Sequence, residues 1–430
     1  MTPALATAEI IAVGSELLGW TRIDTNSLFI TERLSALGIQ VKGKSVVGDD
    51  RVRLRAIFEA ALGRSDLVVL TGGLGPTEDD LTREVVAAAL GLPLAEDADI
   101  TDRIRERFDR RGLRMPEVNR RQAMVPAGAT VLQNAHGTAP GLLIPSPDGR
   151  GRIVVLLPGP PRELQPMLRA LCEGGALAMR TGAERVHTVS LFTTQRSESH
   201  VDEIAQPLYG PWRDEQPPIE TTILATPGQI ELHLTSRSAD GAAAVRRLEA
   251  ARDTLARALG DAVFSTDGRP LHRLVGDTLR ERAMTIAAAE SCTGGLFLER
   301  LTDLPGSSDY VTGGVVAYSD ALKTALLGVD PAIIAAHGAV SEPVAAAMAD
   351  GIHARTGADV TVSITGIAGP GGGTPSKPVG TVVIAVRVPD RPLSVRTHVF
   401  PGGRAQVRFQ ATQSALDVVR RLLRPGLSCE

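Results

Sequence analysis

Ser291 has the sequence setting in this chain that best suits chemistry. It follows an apolar run, Met284 to Ala289, and precedes a glycine pair, Gly294 and Gly295. An apolar run that stops at a small hydroxyl residue and opens into glycine indicates a buried strand that turns into a helix. We expect this turn to expose the hydroxyl at the carboxyl edge of a sheet, beside free backbone N–H groups. The pattern therefore predicts either a serine nucleophile beside oxyanion or phosphate donors, or a serine that only caps the helix.

Tyr318 and Lys323 are the candidates for activating that serine. Tyr318 closes a second apolar run, which begins at Gly313, and Lys323 follows it at the start of the next helix. If the strands are parallel, both residues lie at the same sheet edge as Ser291. A lysine neutralised by burial, or a tyrosine held by that lysine, can activate serine where no histidine does so. Each residue taken alone would be only a rim aromatic or a solvated charge.

A third strand is predicted at Val360 to Ile364, and a glycine-rich loop follows it. Glycines let backbone amides approach a ligand closely, which suits a phosphate or a polar head group, although a floppy surface loop is the alternative. A long amphipathic helix begins at Arg404, whose guanidinium is predicted either to bind phosphate or to face solvent. The candidate ligand-binding residues of this region are Cys292, Thr293, Gly294, Gly295, Thr365, Gly366, Gly369, Gly371, Gly372 and Arg404.

The carboxyl-terminal region, from about residue 271 to 424, resembles the nicotinamide-nucleotide amidase domain of the CinA (competence/damage-inducible) family. The resemblance rests on residues 289–295, Tyr318 with Lys323, 365–372 and 377–381. It implies hydrolysis of nicotinamide mononucleotide (NMN) to nicotinic acid mononucleotide and ammonia, in pyridine-nucleotide salvage. Ser291 would be the nucleophile, Tyr318 and Lys323 its activating pair, and no cofactor is expected. Cys292 ranks below Ser291, because the residue after a nucleophile more often donates its amide.

Residues 1–170 alternate short apolar runs with amphipathic segments, which predicts a parallel sheet covered by helices. The run at 67–70 opens into the glycines and acids of residues 71–80. Glycines at a strand end, followed by paired acids, indicate a phosphate cradle with a divalent cation held by Asp79 or Asp80. The alternative is that these acids only favour the positive end of the following helix.

This amino-terminal region resembles the molybdopterin-binding-like domain of the same family. The resemblance rests on residues 14–18, 24–26, 71–80, 119–123 and 157–163. It implies a metal-dependent pyrophosphatase that acts on ADP-ribose, with Mg, Mn or Co at Asp79 and Asp80. The candidate substrate-binding residues are Gly14, Glu16, Asn26, Thr71, Gly72, Gly73, Gly75, Pro76, Thr77, Gly159, Glu163 and Glu198.

Residues 185–266 are expected to form a small α+β domain, and the resemblance implies a KH-like fold. No Gly-x-x-Gly clamp occurs between its elements, so RNA binding is not expected. We interpret this domain as a spacer that builds a homodimer contact and brings Glu198 to the amino-terminal site. The predicted fold is therefore multidomain α/β. It comprises a doubly wound molybdopterin-binding-like domain at 1–175, a KH-like domain at 185–266 and an α/β amidase domain at 267–430.

Composition limits the classes of function. The chain has 430 residues, is 43% hydrophobic and carries a net charge of −3 with both signs mixed, so direct nucleic-acid binding is not expected. No run of about 18 apolar residues occurs, which predicts no membrane association. Cys172, Cys292 and Cys429 lack disulfide or metal spacing, which favours the reducing cytoplasm. Two classes stay open: an enzyme with one or two nucleotide-hydrolysing sites, or a binding or scaffold protein of competence and recombination whose pockets are vestigial.

Overall fold

The apolar runs near the amino terminus form the buried strands of a six-stranded sheet in the computed structural model, which describes residues 4–424. A strand covered on both faces by helices needs apolar side chains on both faces, so its sequence is a continuous apolar run. The strands here are β1 (Thr7–Val13), β2 (Gln40–Val47), β3 (Leu67–Thr71), β4 (Leu94–Glu96), β5 (Met124–Pro126), β6 (Thr130–Leu132), β7 (Gly141–Pro145) and β8 (Ile153–Leu157). The helices are α1 (Asn26–Ala36), α2 (Arg51–Arg64), α3 (Thr82–Ala89), α4 (Ala98–Asp109) and α5 (Pro161–Cys172).

The six-stranded sheet has the order β2-β1-β3-β8-β7-β6. Its first four strands are parallel, and β7 and β6 continue it in antiparallel pairing. Ile10 packs with Ile30 of α1 in one buried cluster, and Val68 packs with Phe58 of α2 in another. Helices therefore cover both faces of the sheet. The small pair β4-β5 stands apart from it.

The chain divides into two units. The first comprises the described residues up to His187 together with Arg237–Ala244, and the second comprises Thr188–Ser236 with the described residues from Val245 onward.

Most of the middle region belongs to the second unit and contains a four-stranded sheet of order β10-β11-β9-β12. Buried residues alternate along β11, where Ile230, Leu232 and Leu234 face the core, as expected when only one face of a sheet is covered. Leu248 and Val201, from the two helices of this region, pack in the same cluster. The elements are β9 (Arg185–Thr193), α6 (Glu198–Tyr209), β10 (Glu220–Thr226), β11 (Gln229–Ser238), α7 (Gly241–Leu259) and β12 (Val263–Ser265).

The carboxyl-terminal region forms a five-stranded sheet of order β14-β13-β15-β16-β17. β14, β13 and β15 are parallel, whereas β16 and β17 are antiparallel. The strands are β13 (Ile286–Glu290), β14 (Val311–Val316), β15 (Val360–Gly366), β16 (Thr381–Arg387) and β17 (Ser394–Val399). The helices are α8 (Leu271–Glu281), α9 (Leu296–Thr302), α10 (Asp320–Leu327), α11 (Pro331–His337), α12 (Glu342–Thr356) and α13 (Arg404–Leu422).

The predicted α/β class is confirmed, and the second predicted strand is wrong at its end. β14 stops at Val316, so Tyr318 lies in the turn after it. The reason is that Ser319 begins the next helix, where its hydroxyl accepts the N–H of Leu322 at 3.3 Å. Among residues 4–424, none of the helices combines the length and apolar character that a membrane span requires.

Candidate functional site

The carboxyl ends of three neighbouring parallel strands meet at one edge of the second unit. β13 lies between β14 and β15 and runs parallel to both. At its end the N–H of Ser291 donates to the carbonyl of Ile364 at 2.9 Å, and the N–H of Ala317 donates to the carbonyl of Glu290 at 2.8 Å. The turn that carries Tyr318 and the loop that follows Gly366 are therefore next to Ser291. The predicted shared edge is confirmed.

Ser291 is buried, with 7% of its surface exposed, which corrects the expectation that the turn exposes its hydroxyl. Serine at a helix start commonly accepts a backbone N–H and so caps the helix. Here the N-cap of α9 is Gly295, and Ser291 Oγ forms no hydrogen bond with the described residues. The capping alternative is therefore wrong. The hydroxyl is free to interact with a ligand.

The carboxylate of Glu290 binds the N–H groups at the start of α9, which were predicted to be free for a ligand. This fully buried carboxylate accepts the N–H groups of Gly295 at 3.0 Å, Phe297 at 3.1 Å and Leu298 at 3.0 Å. Gly294 donates its N–H to the carbonyl of Ser291 at 3.1 Å. The two glycine amides are thus engaged within the chain, contrary to our expectation. An acid just before a helix start, which the positive helix end favours, was the sequence signal for this role.

Cys292 and Thr293 carry the remaining amides of this turn. Their N–H groups donate to no oxygen within residues 4–424, so they are the donors left for an oxyanion. The Thr293 hydroxyl is also buried without a hydrogen-bond partner in the described chain. Burial raises the pKa of the Cys292 thiol to about 12, so the thiol stays protonated near neutral pH. Sulfur is therefore a poor nucleophile at this position.

Tyr318 and Lys323 are arranged differently from the predicted pair. Lys323 is 1% exposed, and its Nζ lies 3.4 Å from both the backbone carbonyl of Tyr318 and a carboxylate oxygen of Asp320. The lysine thus holds the backbone of Tyr318, and the expectation that it holds the phenol is wrong. The Tyr318 side chain is 56% exposed, and its hydroxyl accepts Nη2 of Arg404 at 2.8 Å. Neither Tyr318 nor Lys323 has a hydrogen bond to the Ser291 hydroxyl.

The first turns of α13 bring two guanidinium groups to the same edge. Besides Tyr318, Arg404 donates to the carbonyl of Gly369 at 2.9 Å, and Arg408 donates to the carbonyl of Thr293 at 2.6 and 3.3 Å. All these acceptors are neutral oxygens. Within the part of the chain that the structure describes, neither guanidinium forms an ion pair with a carboxylate. Both positive charges are therefore left for an anionic ligand.

The predicted glycine-rich loop is only partly directed at a ligand. Thr365 donates its hydroxyl to the carbonyl of Ala339 at 2.9 Å, so this group fixes the strand end. The carbonyl of Gly369 is held by Arg404, as described above. Gly371 and Gly372 are exposed. The ligand-binding roles of these four residues and of Gly366 stay predictions.

A second edge, in the first unit, collects much of the predicted amino-terminal site. Gly14, Gly72 and Gly159 follow β1, β3 and β8, which are adjacent and parallel. Asn26, at the start of α1, donates Nδ2 to the carbonyl of Gly159 at 2.7 Å. Its Oδ1 atom is buried without a hydrogen-bond partner in the described residues. This carbonyl oxygen is thus free to accept a hydrogen bond from a ligand.

The loop of residues 73–80 is folded back on itself. One oxygen of Asp80 accepts both the N–H of Thr77 at 2.9 Å and its hydroxyl at 2.6 Å. A Cβ atom on Gly75 would lie 2.4 Å from the same carboxylate, so a larger residue there would displace the Asp80 side chain from this position. Asp79 is exposed, and its side chain has no hydrogen-bond or ion-pair partner among the described residues. Across residues 4–424 no group of three or more His, Cys, Asp or Glu side chains is arranged to hold a metal ion.

The three predicted acids have different surroundings. The Glu16 carboxylate folds against Gly14. Glu163 accepts Nδ2 of Asn134 at 2.8 Å, a partner that no sequence pattern indicated. Glu198 is the first residue of α6 in the second unit, and its role at the amino-terminal site stays a prediction.

Comparisons with known proteins find a family match for each of the two regions that contain these edges. The family model for the CinA C-terminal domain matches residues 268–423, and that for a probable molybdopterin binding domain matches residues 9–175. A CinA-like protein of Koribacter versatilis is 47% identical over 97% of this chain and 99% of its own. A putative competence-damage inducible protein of Symbiobacterium thermophilum is 45% identical over 97% and 98%.

Among solved structures, the competence/damage inducible protein CihA of Agrobacterium tumefaciens is 35% identical and covers 36% of this chain and 94% of its own, with a TM-score of 0.35. The family does not depend on this partial match, because the curated relatives extend over nearly the whole sequence. The resemblance recognised from the motifs is thereby confirmed, and the chain belongs to the CinA family.

Proposed function

We propose that the second unit hydrolyses the carboxamide of nicotinamide mononucleotide, releasing ammonia and nicotinic acid mononucleotide. The observation that carries this proposal is the environment of Ser291: a buried hydroxyl without a hydrogen bond in the described part of the chain, beside two backbone amides that donate to no oxygen there. A nucleophile and oxyanion donors are the parts that amide hydrolysis requires.

In this mechanism Ser291 Oγ attacks the carboxamide carbon, and the C=O oxygen becomes a tetrahedral oxyanion. The N–H groups of Cys292 and Thr293 donate to that oxyanion, and one such donor typically lowers the barrier by about 3–4 kcal/mol. The C–N bond then breaks, and the nitrogen leaves as ammonia after it receives the proton that Ser291 lost. Water hydrolyses the resulting acyl ester and restores the serine.

Tyr318 and Lys323 are the proposed carriers of that proton. Both follow β14, the strand beside Ser291, and both bear a group that can give and take a proton. Catalytic hydrogen bonds are often long in a ligand-free site and tighten when substrate binds. We infer that the exposed phenol of Tyr318 closes on the substrate while Lys323 fixes the backbone of its turn.

The substrate phosphate is assigned to Arg404 and Arg408. Their guanidinium groups contact only neutral oxygens, so a phosphate would meet uncompensated positive charge. Charge-assisted hydrogen bonds of this kind are about twice as strong as neutral ones. This requirement favours a nucleotide over free nicotinamide as substrate.

Replacing the nucleophile tests the amidase proposal. We expect Ser291→Ala to lower ammonia release from nicotinamide mononucleotide by about a thousandfold or more, because the variant lacks the oxygen that forms the acyl bond in this mechanism. Ser308→Ala removes an exposed serine of the same unit and should leave the rate unchanged. Ammonia is measured by a coupled assay. Undiminished release by Ser291→Ala would refute the serine mechanism.

For the first unit, we infer a nucleotide-diphosphate hydrolase that acts on ADP-ribose. The supporting observation is the buried, partnerless Oδ1 of Asn26 beside glycine turns at three adjacent strand ends. Asp79 and the free oxygen of Asp80 would hold a divalent ion, since Mg²⁺ commonly uses one or two carboxylates together with substrate phosphates. Such an ion, when bound, neutralises the diphosphate and makes a bound water more acidic.

Asp79 is a better position than Asp80 for testing this second activity. Its side chain forms no hydrogen bond with the described loop residues, so its replacement should leave the loop conformation unchanged. We expect Asp79→Asn to lower metal-dependent release of AMP from ADP-ribose by about tenfold or more. Glu78→Gln changes the neighbouring exposed acid and should have no effect. AMP is quantified by chromatography with Mg²⁺, Mn²⁺ or Co²⁺ and with chelator. If both Asp79→Asn and Asp80→Asn released AMP at the wild-type rate, the metal assignment would be contradicted.

A further inference from the structure

A cavity of about 190 Å³ lies between α4 and the loop of residues 133–140 in the first unit. Two arginines of α4, Arg103 and Arg107, line it together with Arg110, the residue that follows the helix, and one carboxylate, Glu106. Residues four apart lie on the same face of a helix, so Arg103 and Arg107 both border the cavity, and Arg110 borders it from the end of the helix. The cavity therefore combines a concave shape with an excess of positive charge.

The three arginines are not neutralised by the protein. Arg107 donates to the carbonyls of Ala135 at 3.3 Å and His136 at 2.7 Å, and Arg103 donates to the side-chain oxygen of Gln133. Arg110 forms no hydrogen bond or ion pair within residues 4–424, and none of the three pairs with a carboxylate there. Arginine charges that line a cleft without acidic partners attract anions, and their fork geometry suits phosphate.

The cavity adjoins the candidate nucleotide site. Its lining residue Asn134 donates Nδ2 to Glu163 at 2.8 Å, and Glu163 follows β8 at the carboxyl edge. A Cβ atom on Gly137, another lining residue, would lie 1.8 Å from the same carboxylate. The segment Asn134–Gly137, which forms one wall of the cavity, therefore lies in close contact with Glu163. A nucleotide bound at that edge thus has the cationic cavity directly behind the Asn134–Gly137 wall.

We propose that this cavity binds a phosphate monoester of the nucleotide held at the amino-terminal site. The inference rests on the nucleotide-binding role proposed for that site. It makes the preferred ligand a nucleotide that carries a phosphate in addition to its diphosphate, such as ADP-ribose 2′-phosphate, over plain ADP-ribose. The Thr138 hydroxyl, which lines the cavity, supplies a further donor for phosphate oxygens.

Titration calorimetry in the presence of chelator separates binding from hydrolysis. We expect the wild-type protein to bind ADP-ribose 2′-phosphate at least about tenfold more tightly than ADP-ribose. The double variant Arg103→Ala/Arg110→Ala, which leaves the loop-holding Arg107 intact, should lose this preference. Arg105→Ala/Arg111→Ala removes two exposed arginines outside the cavity and should keep it. Equal wild-type affinities for the two ligands, or a preference that survives in the cavity variant, overturns the proposal.

Inorganic phosphate distinguishes this inference from the proposed function on which it rests. If neither nucleotide binds, either with chelator or with Mg²⁺ present, the nucleotide-binding role fails, and the binding of phosphate alone then tests the cavity. Phosphate binding to the wild type and the Arg105/Arg111 variant, but not to the cavity variant, supports an anion site. Phosphate binding that is equal in all three proteins, or absent from all three, overturns it.

Discussion

Ser291 and Cys292 are neighbours at the end of β13, and each carries a group that can act as a nucleophile. Their surroundings separate them. The serine hydroxyl has no hydrogen-bond partner in the described chain and needs only a base, whereas burial raises the pKa of the thiol to about 12 and keeps its reactive thiolate scarce. At this scale the environment of a side chain, rather than its intrinsic reactivity, selects the nucleophile.

This difference predicts slow thiol chemistry. Burial also raises the pKa of Cys172 to about 11, and Cys429 lies outside the described residues. In a Cys429→Ser variant at about pH 8 we expect iodoacetamide to label the native protein far more slowly than the unfolded one. Mass spectrometry measures the labelling. Rapid modification of Cys292 accompanied by loss of ammonia release would point to the thiol instead.

Helix α9 shows how an element keeps the reactive turn in place. Its first N–H groups would be free donors in an isolated helix, and a ligand could use them. Here the buried carboxylate of Glu290 accepts three of them, so the helix start is anchored to the end of β13. The two amides of the turn just before the helix are left over as a consequence.

Removal of this carboxylate should therefore loosen the helix start. We expect Glu290→Ala to cost about 2–4 kcal/mol of unfolding free energy, because buried N–H groups would lose their acceptor. Hydrogen exchange should quicken at the amides of Gly295, Phe297 and Leu298. Glu299→Ala, an exposed acid on the same helix, is the control and should change neither quantity. Unaltered protection in Glu290→Ala would show that the carboxylate does not hold the helix.

The charge of the whole molecule bears on the alternative class, a binding or scaffold protein of competence and recombination. Binding to nucleic acid depends on many lysine and arginine contacts to phosphates. This chain has 46 basic and 49 acidic residues, a net charge of −3. Within residues 4–424, arginines without a carboxylate partner include small local groups, such as those that line the cavity of about 190 Å³.

We therefore expect only weak binding to single-stranded or double-stranded DNA. Fluorescence anisotropy with labelled oligonucleotides at about 0.15 M salt should give a dissociation constant above about 10 µM, since no extended basic surface is predicted. Nicotinamide mononucleotide should not compete with whatever binding is seen. Tight binding, together with undetectable ammonia release, would favour the scaffold class.

The sequence by itself determined the elements and the family. Apolar runs, glycine turns and the Arg404 helix are local patterns, because burial on both faces and backbone freedom depend on neighbouring residues. The observed strands and helices therefore lie close to their predicted positions, as for β8 (Ile153–Leu157). The motifs around Ser291 were equally local, and the family they indicated was confirmed.

Only the tertiary structure decided which groups are free at the two edges. The phenol of Tyr318 meets Arg404 rather than Lys323, and Glu290 takes the amides that were assigned to a ligand. One carboxylate oxygen of Asp80 accepts hydrogen bonds from Thr77 of its own loop. Tyr318 and Arg404 lie 86 positions apart, so strand order and the path of the chain in space decide their contact. Glu290 and Asp80 have partners nearby in sequence, but which of those amides they accept depends on burial and backbone geometry, which local sequence periodicity does not encode.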